Sequence, residues 1–527
     1  MFLLILTLLL YSQILFFELT GCDDKLLLND AKSFVQNSSF SGIISAPYLF
    51  QNALFYRPVV NISFVLPLFF NINSLMFQYL INLLIHSANS LLLFILLRRL
   101  NIKNSTSFLL VVLFAVHPVC VNAIAWLPGR NDSLLMMFIL LSVIFYDRYL
   151  AAGSYKDLGL NAAFFLLSLL TKETAITAVI IFIIYFFIKK SKQVNILIYS
   201  AAGWIIASGL WYAARSQLVH DFGPVEYYKN LPFTVQAFGK TVLPFNLSVL
   251  PTINDTTYIY GIISILFLAA GLILNKNRDK ILVVFGISWF LVFLLPPLFN
   301  INPEYNQNLM LESRLYLPFA GMIILFSQIK FFDTASPGKI VTISAVIIFT
   351  ILCFLNIKYS SNYRNDFSFW ENAVCNSPSL DLSQSGLGLI NLQKENYEIA
   401  AQCYRKAAVL NPIRLDYNKK TGYCLINLNR SAEAEEYFRK ELLLNPDDYD
   451  SNLLTGIICF KTGRSGDAEK LLLTAHRINK NDFQPPLYLL KLYHQQRNYT
   501  EAVKFAGILK SGGYKIPDEI SKDLNLY

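Results

Sequence analysis

Two adjacent carboxylates follow the first apolar stretch of the chain, in the segment Cys22-Asp23-Asp24-Lys25. A membrane helix that ends here meets water at this pair, and acids beside hydrocarbon are costly to keep, so the pair indicates a functional site. A carboxylate in this position can accept the proton of a hydroxyl group that acts as a nucleophile. The alternative is that Asp23 and Asp24 are solvated loop residues, because most loop acids take no part in chemistry.

Further charged and polar side chains lie in or beside later loops. The candidates for holding an anion are Arg57, Arg130, Lys172, Arg215 and Arg314. Arginine binds phosphate through paired, charge-assisted hydrogen bonds, and fixed cations stabilise the charge that develops on a leaving phosphate. The candidates for a supporting role are His117, Asp132, Glu173, Glu312 and Tyr316.

Structural roles remain the alternative for these residues, since structural networks also gather charges. In this alternative, Arg130 and Asp132 form a pair at the start of a helix, and Lys172 and Glu173 form a pair in a tight turn. Glu312 and Arg314 form a structural ion pair, and His86 and His117 are core histidines.

Composition places these residues in a membrane protein. The chain has 527 residues, of which 54% are hydrophobic and 15% charged, whereas soluble domains carry roughly 25% charged residues. The net charge of +9 comes from Lys and Arg grouped in short loops. This grouping is the positive-inside bias of membrane proteins and not a nucleic-acid signature. The seven cysteines show no CxxC spacing, so neither a zinc site nor a disulfide framework is indicated.

Hydropathy predicts about eleven spans. Residues 1–20 form an apolar run long enough to cross about 30 Å of hydrocarbon. A cleaved signal peptide is the alternative, but no Lys or Arg precedes the run, and signal peptides usually begin with basic residues. The Pro-bounded stretches 58–71 and 231–251 are predicted to be interfacial or re-entrant. The other spans are predicted near 75–97, 106–122, 133–150, 158–170, 174–188, 195–213, 257–274, 281–298, 310–329 and 340–357.

Basic residues also predict the orientation. Their clusters fall on alternate loops, and all become cytoplasmic if the N-terminus is cytoplasmic. The C-terminus and five loops then face outward, namely 21–74, 123–132, 171–173, 214–256 and 299–309. Every candidate site residue lies in or beside one of these outward loops. Scattered structural charges would not need to share one side of the membrane.

The C-terminal part of the chain repeats with a period of 34 residues. Gly388, Gly422 and Gly456 show this spacing, as do Asn411 and Asn445, each followed by Pro. Small residues at a 34-residue period are the tetratricopeptide signature. We therefore predict an all-α chain with three domains: a membrane helical bundle (1–357), a linker (358–382) and a solenoid with three full repeats and a partial fourth (383–527).

The series of motifs resembles the transmembrane and tetratricopeptide-repeat O-mannosyltransferases, within the GT-C class of polyprenyl-phosphate-sugar-dependent glycosyltransferases. The matching pieces cover almost the whole chain. They are Asp23-Asp24 with Asn29-Asp30, Tyr56-Arg57-Pro58, Asn82 to His86, Phe114 to Pro118, Gly129-Arg130-Asn131-Asp132, Thr171-Lys172-Glu173, Pro244 to Ser248, Glu312 to Pro318, and Arg364-Asn365 with Trp370.

The resemblance implies that an Asp in the first outward loop is the general base, which points to Asp23 or Asp24. It also implies that Arg and Glu of later loops bind the lipid phosphate. Two positions depart from the family. Asn122 carries an amide where relatives usually have Glu nearby, and Arg314 follows Glu312 by two residues where many relatives place it adjacent.

The expected protein is a bacterial-type inner-membrane glycosyltransferase whose repeats are extracytoplasmic. Its donor would be a polyprenyl-phosphate-linked sugar, with mannose as one candidate, and its acceptor a hydroxyl of a protein or glycan, with inversion at the anomeric carbon. A divalent metal is a possible but unsupported cofactor, because the acids are too few and too far apart in sequence to argue a site. A nucleic-acid partner is not expected. The rival functions are a non-enzymatic scaffold that displays the repeats, and a lipid-linked glycan transporter.

Overall fold

The computed structural model describes residues 2–37, 42–45, 55–72, 74–189, 194–216, 230–299, 306–332 and 339–524. Two compact units share the chain: the first contains residues 1–303 and 307–378, the second residues 304–306 and 379–527. The described residues are helical apart from turns, loops and one isolated bridge between Thr252 and Leu309. The all-α prediction is thus confirmed.

The first unit contains seventeen α-helices within the described residues. They are α1 (Phe2–Leu10), α2 (Asp24–Asn37), α3 (Gly42–Ser45), α4 (Pro58–Phe69), α5 (Leu75–Arg99), α6 (Asn104–Val116), α7 (Val121–Ala125), α8 (Arg130–Ala152), α9 (Tyr155–Thr171), α10 (Ala178–Ile188), α11 (Val194–Ser216), α12 (Phe233–Val242), α13 (Ile259–Leu274), α14 (Lys280–Leu298), α15 (Tyr316–Phe326), α16 (Lys339–Ser360) and α17 (Asp366–Asn376). Short 3-10 turns join several of them: Ser12–Phe16, Pro118–Cys120, Leu127–Gly129, Glu173–Thr177, Glu312–Leu315 and Ser361–Tyr363.

Five helical segments of the described chain are long and apolar enough to cross a membrane, and a sixth arises if α6 and the bent segment Pro118–Ala125 form one span. The bend measures 53° and falls at His117-Pro118, because the residue before a proline avoids the helical region. Shorter apolar helices cover three more segments. The count of eleven spans stays a prediction. The first apolar run differs from the expected continuous span, since α1 ends at Leu10 and a 3-10 turn follows.

Buried polar side chains join the spans. Asn161 of α9 donates to the Ser142 carbonyl of α8 at 3.0 Å and accepts from the Trp204 indole of α11 at 2.9 Å. Such contacts hold helices together where lipid supplies no hydrophobic driving force. At one end of the bundle, Arg99 and Lys189 each lie 2.7 Å from Asp147. Two loops that were both predicted to be cytoplasmic therefore meet at the same end.

Residues 358–378 are not an independent linker. Most of this segment is helical, and it packs within the first unit. The Arg364 carbonyl accepts from the Glu18 amide at 2.9 Å, and the Asn372 side chain accepts from the Val249 amide at 3.1 Å. The boundary between the units falls after residue 378.

The second unit is a series of paired helices. They are α18 (Asp381–Gln393), α19 (Tyr397–Leu410), α20 (Tyr417–Asn427), α21 (Ser431–Leu444), α22 (Tyr449–Lys461), α23 (Ser465–Ile478), α24 (Gln484–Gln495), α25 (Tyr499–Ser511) and the closing α26 (Asp518–Asp523).

Small repeated residues let these pairs approach closely. A Cβ atom on Gly422 would lie 2.7 Å from the Phe438 ring of the paired helix. The fourth pair, α24 with α25, is complete rather than partial. Leu490 stands at the repeated glycine position and is fully buried beside Ala502 and Ala506. The fourth repeat, predicted to be partial, is therefore a full helix pair.

Candidate functional site

The acidic loop, which carries Asp23 and Asp24, turns at residues 21–23 and leads into α2. Asp24 is fully buried, and its Oδ2 accepts hydrogen bonds from the Thr20 amide (3.1 Å) and hydroxyl (3.0 Å). Its Oδ1 has no hydrogen-bond partner among the described residues. Burial raises the pKa of Asp24 to about 7, although the bonds from Thr20 act in the opposite direction. Asp24 therefore anchors the loop.

Asp23 has a different environment. Its side chain is half-buried, and its Oδ1 lies 3.8 Å from the Cys22 sulfur. Burial raises the pKa of Asp23 to about 6. A carboxylate with this pKa is ionised at neutral pH and still basic enough to take a proton. Of the two acids, Asp23 is better placed to meet a substrate.

A third carboxylate, Asp366 of α17, approaches the same loop. It forms an ion pair with Lys25. A Cβ atom on Gly21 would lie 3.1 Å from the Asp366 carboxylate, so a glycine at this position permits the close approach. The Asp366 charge also contributes to the raised pKa of Asp24. Sequence reasoning missed Asp366 because it assigned the residue to a linker.

Five charged residues from four separate segments form a second group, which we call the charge cluster: Arg57, Asp132, Lys172, Glu173 and Arg314. Arg57 immediately precedes α4 and contacts both carboxylate oxygens of Glu173, with Nη2–Oε1 at 2.6 Å and Nε–Oε2 at 3.1 Å. Lys172 Nζ lies 2.6 Å from Asp132 Oδ1. The charges of Asp132, Arg57 and Glu173 all act on Arg314. The predicted convergence of these loops is thus present in the structure.

The cluster is largely withdrawn from solvent. Side-chain exposure is 8% for Arg57, 10% for Asp132, 14% for Lys172 and 29% for Glu173. Charges in such surroundings interact more strongly than in water. The cluster therefore places cations and carboxylates where water screens their charges only weakly.

The sequence also predicts Arg130 and Arg215 as phosphate ligands, and both contact residues outside the charge cluster. Arg130 is fully buried, and its guanidinium donates to Asn82 Oδ1 at 2.6 Å and to the carbonyls of Ser63 (2.9 Å) and Gln78 (2.7 Å). It thereby ties α4 and α5 to the start of α8. Arg215 lies at the end of α11, with its guanidinium 5.8 Å from the ring of Trp211.

Glu312 differs from the structural alternative considered for it, because it pairs with Lys240 and not with Arg314. Its Oε1 lies 2.9 Å from Lys240 Nζ and accepts the Ser248 amide at 3.0 Å, while Tyr359 donates to Oε2. Lys240 and Tyr359 were missed. The sequence feature that could have indicated a role for Lys240 is that it is a single lysine in a short apolar helix, α12.

Tyr363 extends this network to Asn122. Tyr363 lies 3.2 Å from the Tyr359 hydroxyl and accepts from the Asn122 amide at 2.7 Å. Asn122 Oδ1 in turn accepts the Ser313 amide at 3.0 Å. An amide at position 122 donates and accepts at once, which a carboxylate cannot do.

The remaining supporting candidates are buried structural residues. His117 Nδ1 accepts from the Val119 amide at 3.2 Å and so caps a short turn. The Tyr316 hydroxyl lies 2.6 Å from His86 Nδ1 and receives a bond from Asn89 at 3.3 Å. The alternative of core histidines thus describes His86 and His117.

The two polar groups lie in the same unit. Helix α2, which begins at Asp24, packs against α4, which begins just after Arg57. The turn Glu312–Leu315 carries both Glu312 and Arg314. The described residues contain no group of three or more His, Cys, Asp or Glu side chains suited to a metal ion.

Comparison with known proteins adds a family context. Residues 58–212 match the family model described as dolichyl-phosphate-mannose-protein mannosyltransferase, and residues 421–448 match a tetratricopeptide repeat. The crystal structure of the tetratricopeptide protein YrrB is 16% identical, over 35% of this chain and 91% of that chain, with a TM-score of 0.28.

Relatives match in sequence as well. The chain is 33% identical to Protein O-mannosyl-transferase TMTC1 of Mus musculus, over 25% of this chain and 15% of that protein. It is 24% identical to Protein O-mannosyl-transferase F38B6.6 of Caenorhabditis elegans, over 68% of this chain and 54% of that protein. The chain thus matches about half or less of the length of these relatives.

Fold and matches together define a multi-pass, all-helical membrane protein that ends in tetratricopeptide repeats. They confirm the resemblance to the transmembrane and tetratricopeptide-repeat O-mannosyltransferases.

Proposed function

We propose that this protein transfers a sugar, with mannose as the first candidate, from a polyprenyl-phosphate carrier to a hydroxyl group of a protein or glycan on the extracytoplasmic side. The observation that carries the proposal is the pairing, within one unit, of a carboxylate loop and a cation-rich cluster. The names of the matching family and relatives support mannose as the sugar.

The acidic loop and the charge cluster have different roles in the reaction. Asp23 accepts the proton of the acceptor hydroxyl as its oxygen attacks the anomeric carbon. The bond from that carbon to the phosphate oxygen breaks, and its electron pair stays on the phosphate. Arg57, Lys172 and Arg314 hold the leaving phosphate and stabilise the charge that it gains. Attack opposite the leaving group inverts the anomeric centre.

The repeats supply a surface for the acceptor. Solenoids of paired helices present an extended concave face that binds partners. The sidedness of the proposal rests on the basic loops, because Arg99 and Lys189 meet at one end of the bundle while the candidate site uses loops predicted for the other side. Labelling of single cysteines at Lys103 and Asp132 tests this arrangement, and labelling from the same side would contradict it.

The decisive experiment uses the full chain purified in lipid nanodiscs, with radiolabelled polyprenyl-phosphate-mannose and exported proteins of the host as acceptors. We expect transfer by the wild-type chain and loss of transfer in the Asp23→Asn, Asp24→Asn double variant. Glu371→Gln is the matched control, because Glu371 is exposed on α17. Undiminished transfer by the double variant would overturn the catalytic assignment of these two acids. The absence of transfer by the wild-type chain would favour the scaffold alternative.

A further inference from the structure

The charge cluster contains two carboxylates that compete with phosphate for the same donors. Arg57 presents two N–H groups to Glu173 in the forked geometry with which arginine also binds phosphate. Asp132 likewise forms an ion pair with the ammonium group of Lys172. A phosphate that binds these cations must displace one or both carboxylates, or share the cations with them.

The net charge of the cluster is therefore small. Among the described residues it combines three cations with two carboxylates, which gives +1 when all are ionised. A lipid phosphodiester that carries a sugar has one negative charge and neutralises this cluster. A phosphate monoester, which remains after the sugar leaves, carries a charge of about −1.5 to −2 at pH 7 and exceeds it.

We infer that Glu173 and Asp132 are specificity-determining residues that weaken binding of the lipid phosphate monoester more than binding of the sugar-bearing lipid phosphodiester, and so promote release of the monoester. This inference rests on the donor class proposed above. Transfer breaks the bond to the anomeric carbon and leaves one more negative charge on the phosphate. The two carboxylates repel that added charge at the moment when the product must leave.

Glu173 is the more accessible of the two acids. Its side chain is 29% exposed, whereas that of its partner Arg57 is 8% exposed. Glu173 can thus turn toward water while Arg57 keeps its position beside the phosphate. When the product dissociates, Glu173 returns to Arg57 and restores the ion pair. A neutral residue at position 173 could neither repel the product nor replace it.

Direct binding separates this role from a merely structural one. The test measures the affinity of a polyprenyl monophosphate and of its mannosyl diester for the full chain in nanodiscs, for wild type and Glu173→Gln. Since the monoester carries the extra charge, we expect the variant to bind it tighter by about tenfold or more, with a smaller change for the diester. In turnover experiments the variant should show stronger inhibition by added polyprenyl monophosphate and a lower kcat.

Three further variants complete the test. Glu173→Asp keeps the charge and should retain most of the discrimination, and Asp132→Asn should shift affinity in the same direction as Glu173→Gln. Glu371→Gln removes an exposed carboxylate outside the cluster and should change neither affinity. Equal or weaker monoester binding by both Glu173→Gln and Asp132→Asn would overturn the inference. The absence of sugar transfer by the wild-type chain would instead contradict the proposed function, because the binding comparison does not require turnover.

Discussion

Lys240 and Glu312 form an ion pair in which the lysine side chain is 2% exposed and the glutamate side chain is not exposed at all. The pair joins α12 to the turn that carries Arg314. A buried pair is costly to form, but the removal of one partner leaves an uncompensated buried charge. The pair thereby fixes the position of the turn.

The first prediction concerns the loss of one partner from this buried pair. Lys240→Met should destabilise the first unit by about 3–5 kcal/mol, because Glu312 loses the partner of its charge. The double variant Lys240→Met, Glu312→Leu should recover part of the loss, since no unpaired charge remains. Thermal unfolding of the full chain in detergent measures both effects. A double variant less stable than Lys240→Met alone would contradict this account.

The second prediction concerns the pH dependence of transfer. Asp23 must be ionised to accept a proton, and its pKa is raised to about 6. The apparent kcat/KM should therefore rise about tenfold per pH unit below 6 and level off above it. Because Asp24 lies beside Asp23 and has a pKa near 7, the profile reports the coupled pair. Asp23→Asn should remove most activity, by a factor of about 10² to 10⁴. A pH profile that is flat between 5 and 8 would contradict a carboxylate base in this loop.

The third prediction concerns the stability of the folded protein, which depends on pH because the pKa of Asp24 is raised. The folded-state pKa of Asp24 lies above its ordinary value of 3.8, so the folded state binds the proton more tightly than the unfolded state. This contribution to stability is fully present below about pH 4 and is lost as the pH rises toward 7. Asp24→Asn stays neutral throughout and should show a smaller fall in Tm between pH 4 and 7. A scan of Tm against pH compares the two proteins, and parallel curves would count against burial as the cause.

Two arginines that look alike in the sequence should respond differently to substitution. Arg314→Gln removes a cation from the charge cluster and should raise the KM for the donor. Arg130→Gln should chiefly lower the Tm, because Arg130 ties α4 and α5 to α8 through three protein acceptors. Donor titration and thermal unfolding of both variants give the comparison. A larger rise in donor KM for Arg130→Gln than for Arg314→Gln would reverse the assignment.

The contrast between these arginines shows what the sequence could predict. Loop position relative to the spans was enough to bring Arg57, Lys172 and Arg314 to one place. It could not distinguish Arg130, because the rotation of α8 decides whether a side chain faces the cluster or the interior. It also could not predict the partner of Glu312, since Lys240 lies 72 residues away along the chain and only tertiary packing joins them.

Periodicity was more informative for the repeats, because each 34-residue unit contacts mainly its neighbours. Small residues at fixed positions therefore predicted the helix pairs directly. In the fourth pair Leu490 stands at the position of the repeated glycine, and its core also contains Ala502 and Ala506. The helix pair therefore forms although the glycine is not kept.

The final prediction tests that packing in the full chain. Gly422→Ala places a methyl group 2.7 Å from the Phe438 ring and should destabilise the second unit by about 1–3 kcal/mol. Gly466→Ala is the matched control, because open space surrounds that glycine. Hydrogen exchange should show faster exchange in α20 and α21 for Gly422→Ala only, with the first unit unchanged, and Phe438→Leu in the same chain should restore part of the protection. Equal exchange in the two alanine variants would mean that the helices do not depend on a small residue at this contact.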